Sequence, residues 1–385
     1  MSEYAYDPEL TDLLSKLVSI RSPSGMEGEA QRFIAEWFSS RGLPAVLEPA
    51  DGGLFNVVVE VAGAGPGPSL WIGGHSDTVV PSVGWSYDPH TPTIAGKRLY
   101  GVGAMDMKSG LATAMHAVRD LAARRDSWTG KLTFVSLADE EATSRGAKSF
   151  IRTGRPFDAA IMCEPNFEDP ATGAVGKVNL CVRITGLSAH GAWPERGINA
   201  VTEASRLVAA IGALDRRAHH RFGKGTHCVL NISSGDGKYE IRVPDHCEFL
   251  LNWHFMPGET IEEAVQTLEA LVNRLGSRAK FEIITAEPSY GSYALAESDP
   301  FVTSFAETYR RHVGRAPELG FCLGVSDANV LAAEAGVPTI LFGPSGANLH
   351  AADEWADLSQ MAVAKAVYTD LALGFLSGRD NKETP

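Results

Sequence analysis

The chain has 385 residues, 44% of them hydrophobic and 21% charged, enough for two globular domains rather than one simple core. Its formal net charge of −13, from 34 basic and 47 acidic residues, argues against a nucleic-acid surface, which would need a basic stripe. No long uncharged apolar run could span a membrane, and Met1-Ser2-Glu3-Tyr4-Ala5-Tyr6 lacks the positive and apolar regions of a secretory leader. The five scattered cysteines, Cys163, Cys181, Cys228, Cys247 and Cys322, have no CxxC spacing, so the expectation is a cytoplasmic protein with reduced thiols and no thiolate zinc site.

Asp7-Pro8 reads as an N-cap and a first-turn proline, after which Leu10, Leu13, Leu14, Leu17 and Val18 share one helical face. A second helix carries Phe33, Ile34, Trp37 and Phe38 and stops at Gly42. Asn56 to Val61 is a strand, and a glycine–proline turn leads to a short buried strand, Leu70 to Ile72. That strand enters Gly73-Gly74, a pair that lets the backbone pass close to a neighbour. Val80 to Met107 reads mostly as loop, and a loop that long in a compact domain is usually functional. A helix follows through Leu111, Met115, Val118 and Leu121, then strands at Leu132 to Leu137 and Ala159 to Cys163. This alternation predicts an α/β domain, residues 1–177 and 287–385, whose mostly parallel sheet has helices on both faces.

Between these segments the pattern changes. Val178, Leu180, Val182 and Ile184 alternate as in a half-buried strand, and Asn199 to Leu214 is an amphipathic helix. Strands around Val229–Ile232 and Phe249–Phe255, a helix after Pro257-Gly258-Glu259 and a strand Phe281–Ile284 complete a β-α-β-β-α-β order. Residues 178–286 are therefore expected to form an inserted ferredoxin-like α+β domain. The α/β pattern then resumes with a helix near Phe305 and Tyr309, another opening at Asp327, a strand Thr339–Phe342 and a final helix Leu358–Leu373.

Ligands of open parallel sheets bind at the carboxyl ends of the strands. Here those ends lead to His75 and Asp77, to Asp139-Glu140-Glu141, to Glu164, and through Gly343-Pro344-Ser345-Gly346 to His350, while the long loop adds Asp106. So many carboxylates cannot sit together ionised without a cation, and histidine with carboxylate ligands suits zinc, cobalt or manganese.

The motifs Gly74-His75-Ser76-Asp77-Thr78-Val79, Gly103-Ala104-Met105-Asp106-Met107-Lys108, Asp139-Glu140-Glu141, Glu164-Pro165 and His350 with Glu354 behind it are spread along most of the chain. With Gly186-Leu187-Ser188-Ala189-His190-Gly191, Pro194, Gly197 and Asn199-Ala200, the sequence resembles the two-zinc metallopeptidases and amidohydrolases. That family includes carboxypeptidase G, acetylornithine deacetylase, succinyl-diaminopimelate desuccinylase and aminoacylase. The resemblance implies two divalent metal ions, one held by His75 and Glu164 and the other by Glu141 and His350, with Asp106 bridging and a cis peptide after it. It also implies Glu140 as general base, Asp77 as the group orienting His75, and His190 as oxyanion donor reaching across a homodimer. The inserted domain is then a lid and dimerisation domain.

Two positions depart from the family pattern. His254 stands where an arginine usually precedes the Pro-Gly turn, and Ile241 stands where an asparagine often precedes Pro244-Asp245. Arg242 or a partly protonated His254 is expected to compensate in holding a substrate carboxylate. Asn231, Gly324 and Ser345 are further candidates for substrate contact. The expected activity is hydrolysis of an amide bond in a small N-acyl amino acid or short peptide. The alternatives are a dipeptidase or aminopeptidase of the same family, or a non-catalytic binding protein on this fold.

Overall fold

A computed structural model describes residues 7–235 and 239–378; the reading of Met1 to Tyr6 lies outside the described residues. The chain forms two compact units, a larger one running to Gly173 and continuing through Ala294–Cys322 and from Ser326 onward, and a smaller one of Ala174–Tyr293 with Leu323–Val325.

The larger unit opens as its caps dictate. Asp7 accepts the amides of Glu9 and Leu10 at 3.0 and 3.3 Å, and the helix Pro8–Ser19 buries Leu10, Leu13, Leu14, Leu17 and Val18. The central sheet runs Ala45–Ala50, Leu54–Ala62, Lys131–Leu137, Ser69–His75, Ala159–Met162, Thr339–Leu341, Ala171–Ala174, Tyr293–Ala294, with Gly320–Cys322 paired beside Ala171–Ala174. Its centre, from Lys131–Leu137 to Thr339–Leu341, is parallel, as the α/β alternation predicts. The outer pairs for which register is defined are antiparallel. Val57, Val59, Leu70, Ile72, Leu132, Phe134 and Ile161 join one core with the helices Gly28–Ser39, Ser109–Ala122, Pro300–Val313 and Leu358–Leu376. The alternate residues Val58, Trp71, Val135 and Ala160 are also buried, so both faces of the sheet are covered.

The glycine pair has a steric cause. A Cβ on Gly73 would lie 1.9 Å from the Val135 carbonyl oxygen, and one on Gly74 would lie 2.0 Å from the Met107 side chain. The strand carrying His75 can thus press against both its neighbour and the segment carrying Asp106.

The stretch expected to be mostly loop holds a hairpin, Thr93–Ala95 and Arg98–Tyr100, which joins Trp355–Asp357 and Gly346–Ala347 in a small antiparallel sheet. Strands this short, paired with residues far along the chain, leave no local period. The strand Ala45–Ala50 was likewise not expected. It carries Pro49, tolerated because this strand is the sheet's edge.

In the smaller unit the strands lie in the order His227–Ser233, His246–Phe255, Gly176–Thr185, Lys280–Tyr290, all antiparallel. Val178, Leu180, Val182, Ile184, Phe249, Leu251 and Trp253 bury one face with the helices Ala200–Gly212 and Ile261–Leu275. Asn199 caps the first helix, and the second begins with a reciprocal Thr260–Glu263 capping box. A short hairpin, Ala218–His219 with Gly223–Lys224, is an addition to the β-α-β-β-α-β order. Among the described residues, no helix is long and apolar enough to cross a membrane.

Candidate active site

The ends of the parallel strands bring the expected side chains together within the larger unit. His75 ends its strand fully buried, and its Nδ1–H donates to the Asp77 carbonyl oxygen at 3.0 Å. That bond leaves the Nε2 lone pair facing Asp106 Oδ1 at 3.4 Å. The other carboxylate oxygen of Asp106 lies 3.2 Å from His350 Nε2, which also meets Glu141 Oε1 at 2.9 Å. Ligand atoms of His75, Asp106 and Glu164 lie within 4.8 Å of one another, and so do those of Asp106, Glu141 and His350. Asp106 belongs to both sets. The Asp106–Met107 peptide is cis.

These groups cannot satisfy one another. His75 Nε2, Asp106 Oδ1 and Glu164 Oε1 are all buried without a hydrogen-bond partner. Lone pairs converging on one point with no donor between them fit a cation. The residues present therefore suit the metal pair that the family pattern implies.

Asp77 does more than orient its neighbour. Its main-chain oxygen holds the His75 ring, while its carboxylate accepts the amides of Glu140 and Glu141, both at 3.1 Å, and the Ser24 hydroxyl at 2.7 Å. Asp139 adopts a φ of +66° and is clamped by Arg145 at 2.6 and 2.7 Å, which turns the chain so that Glu140 and Glu141 enter the site.

Charge in the cluster is highly organised. Burial raises Glu140 well above its ordinary value, and the carboxylates of Glu164, Asp327 and Glu141 push it further against the pull of His75. Burial and Asp106 do the same to Glu164. Burial opposes ionisation of Asp106, yet the imidazoles of His350 and His75 hold it low. Hydrogen bonds to Asp106 and Glu141 lift His350 to about 10. The whole site favours positive charge at its centre.

Some contributors lacked a clear signal in the sequence. Asp327 is the first residue of a short helix capped by Ser326; it is fully buried and raised by burial to about 7. Lys108 is buried too, donating to the carbonyls of Leu17 and Ile20 at 2.9 and 3.0 Å. A carboxylate at a helix start and a lysine after Met107 look like surface residues when read alone.

The candidates for substrate contact are scattered. Ser345 is committed elsewhere: its hydroxyl donates to the Pro165 carbonyl at 2.6 Å and accepts the Phe167 amide at 2.9 Å, which ties down the loop after Glu164. Gly324 is exposed and falls in the Leu323–Val325 segment of the smaller unit. His190, Asn231, Arg242 and His254 also belong to the smaller unit. His190 is exposed, and its Nδ1 accepts the Ala192 amide at 3.2 Å, so Nε2 carries the proton and is the donor. Asn231 is exposed on the strand His227–Ser233. Arg242 is 52% exposed and its guanidinium is bound to Glu240. His254 is half-buried, and burial, then Lys177 and Arg216, hold it below its ordinary value. A charged histidine there is therefore disfavoured, against the expectation of partial protonation.

Two histidines and a shared carboxylate at the carboxyl edge of a parallel sheet, with further buried carboxylates beside them, suit a metal-dependent hydrolase. The comparisons specify it further: residues 71–374 match the profile of peptidase family M20/M25/M40, and the chain belongs to that family. It is 31% identical to succinyl-diaminopimelate desuccinylase of Beijerinckia indica subsp. indica, over 80% of this chain and 83% of that one. Its fold is similar to that of a tripeptidase from Staphylococcus aureus, with a TM-score of 0.80 and 19% identity over 97% of this chain and 98% of the other. It is also similar to a dinuclear metal binding peptidase of the M20 family from Bacillus subtilis, with a TM-score of 0.74 and 16% identity over 95% and 97% of the two chains.

Proposed function

We propose that the protein hydrolyses the amide bond of a small N-acyl amino acid, with a short peptide as the alternative substrate. The observation that carries this is Asp106, whose two oxygens face His75 and His350 separately at 3.4 and 3.2 Å. His75, Glu164, Glu141 and His350 would hold the two divalent ions, with Asp106 common to both sets of ligands. Zinc is the proposed metal, with cobalt or manganese as substitutes. The pair of ions supplies polarisation of the scissile carbonyl and acidification of the attacking water.

The chain's own residues do the rest. Glu140 accepts the proton lost as water adds to the carbonyl carbon and returns it to the leaving nitrogen as the C–N bond breaks. Burial favours its neutral, proton-bearing form. Asp77 fixes Glu140 and Glu141 through their amides and fixes the His75 ring through its carbonyl. His190, protonated on Nε2, is the proposed donor to the oxyanion.

The 31% identical relative is a desuccinylase by name, which favours an N-acyl bond over a peptide bond. The smaller unit is the proposed lid and dimerisation domain, residues 178–286 in the sequence reading. Its edge strand His227–Ser233 exposes Leu230 and Ile232, as a strand that pairs with a second copy would. A cytoplasmic location is the matching proposal. The test is turnover of a panel of N-acyl amino acids and di- and tripeptides by the metal-loaded enzyme. Cleavage confined to N-acyl substrates is expected, and cleavage of peptides alone would reverse the assignment.

A further inference from the structure

The helices Pro8–Ser19, Gly28–Ser39 and Ser109–Ala122 of the larger unit border a cavity of about 660 Å³, a volume in the range of small-molecule sites. None of its lining residues belongs to the metal cluster. Leu13, Phe33 and Trp37 give it apolar walls, and His116 reaches it from the third helix.

His116 has an unmet nitrogen. Its side chain is only 3% exposed, its ring centroid lies 5.3 Å from that of Trp37, and its Nδ1 is buried with no hydrogen-bond partner. Glu9 Oε2, 3.9 Å away, is beyond hydrogen-bond reach and already accepts from Arg119 at 2.9 Å. Burial, then Arg119 and Lys365, hold the imidazole down to about 4, so near neutral pH it is an uncharged ring with one acceptor nitrogen. Buried polar atoms of this kind are normally satisfied.

The charges around the cavity divide into met and unmet. Lys16 is paired with Asp12 at 2.7 Å, and Arg119 with Glu9. Glu36 and Arg41 line the same cavity, and among the described residues neither has an ion-pair partner. The Arg41 guanidinium carbon lies 4.0 Å from the Trp37 ring centroid, and its Nη1 donates to the Trp37 carbonyl at 2.8 Å. That anchors one side of the guanidinium and leaves the rest of its fork for an anion.

We propose that this cavity binds a free amino acid with an apolar side chain. The ligand's carboxylate accepts from Arg41, its ammonium group donates to Glu36 and to His116 Nδ1, and its side chain lies on Leu13 and Phe33. A zwitterion carries one anion and one cation, matching one unpaired guanidinium and one unpaired carboxylate. A purely anionic or purely cationic ligand leaves one of the two unmet. The site is separate from the metal cluster and does not depend on the amide-hydrolysis reading.

The test titrates L-phenylalanine into the metal-loaded full-length enzyme while the Trp37 indole N–H resonance, assigned with Trp37→Phe, is followed by NMR. The comparison probes are 3-phenylpropionate, which lacks the ammonium group, and phenethylamine, which lacks the carboxylate. Neither contains an amide that the enzyme could cut. A saturable shift is expected with phenylalanine, and binding about tenfold weaker with each of the other two. Glu36→Gln and Arg41→Met should each weaken phenylalanine about tenfold, and Arg41→Lys less. Both positions are exposed, so the variants should keep the wild-type melting temperature. A resonance that phenylalanine leaves unmoved, equal affinity for all three probes, or unchanged affinity in Glu36→Gln and Arg41→Met overturns the site.

Discussion

The carboxylate of Glu354 accepts the backbone amide of Asp106 at 3.1 Å. The same carboxylate takes the amides of Met105 at 2.8 Å and Gly103 at 2.9 Å, so one buried side chain sets the loop that presents Asp106 to both histidines. Glu354→Ala leaves three amides without their acceptor and frees that loop. Metal affinity is expected to fall about 10- to 100-fold, as for other groups that hold a ligand in place. Glu354→Gln, which keeps the shape, should lose less. Competition with a chromogenic chelator measures both, and unchanged affinity in Glu354→Ala would refute this role.

Glu140→Gln tests the proton carrier. The amide has the same shape but cannot take a proton, so metal content and melting temperature should stay near wild type. Turnover is expected to fall by about 10²–10⁴. Near-normal turnover by a metal-loaded Glu140→Gln enzyme would remove Glu140 from the mechanism.

Stability should weaken in mild acid because of His116. Burial, then the charges of Arg119 and Lys365, lower its pKa from 6.5 to about 4. The unfolded chain therefore binds the proton first as pH falls. The contribution is complete above pH 6.5 and is lost progressively down to about pH 4. It amounts to roughly 3 kcal/mol across that window. Urea unfolding of wild type and His116→Leu at pH 7 and pH 4.5 gives the answer. The wild type should lose more stability than the variant, and equal losses would contradict the assignment.

The parallel core was legible because Leu70–Ile72, Leu132–Leu137 and Ala159–Cys163 are short apolar runs, each leading straight to a polar group. Chain order alone then placed His75, Glu140, Glu141 and Glu164 along one edge of the sheet. The hairpin Thr93–Tyr100 was not legible, since its support comes from Trp355–Asp357, far along the chain. Asp327 and Lys108 were hidden for a related reason, because their burial is decided by elements distant in sequence.

His190 offers a test of assembly. If it acts in the partner's active site, a Glu140→Ala chain mixed with a His190→Ala chain should form heterodimers with one intact site. Random exchange would restore up to about a quarter of wild-type activity. No recovery after proven subunit exchange would place His190 in its own chain's site or outside catalysis.

Amide hydrolysis by this chain should depend on two divalent ions held in one carboxylate-bridged site. Stripping the protein of metal and titrating zinc back while following cleavage of its best N-acyl substrate tests this directly. The stripped protein should show no turnover, and zinc should restore it with a rise that levels off at two ions per chain. Full turnover without metal, or none at any zinc load, would contradict it.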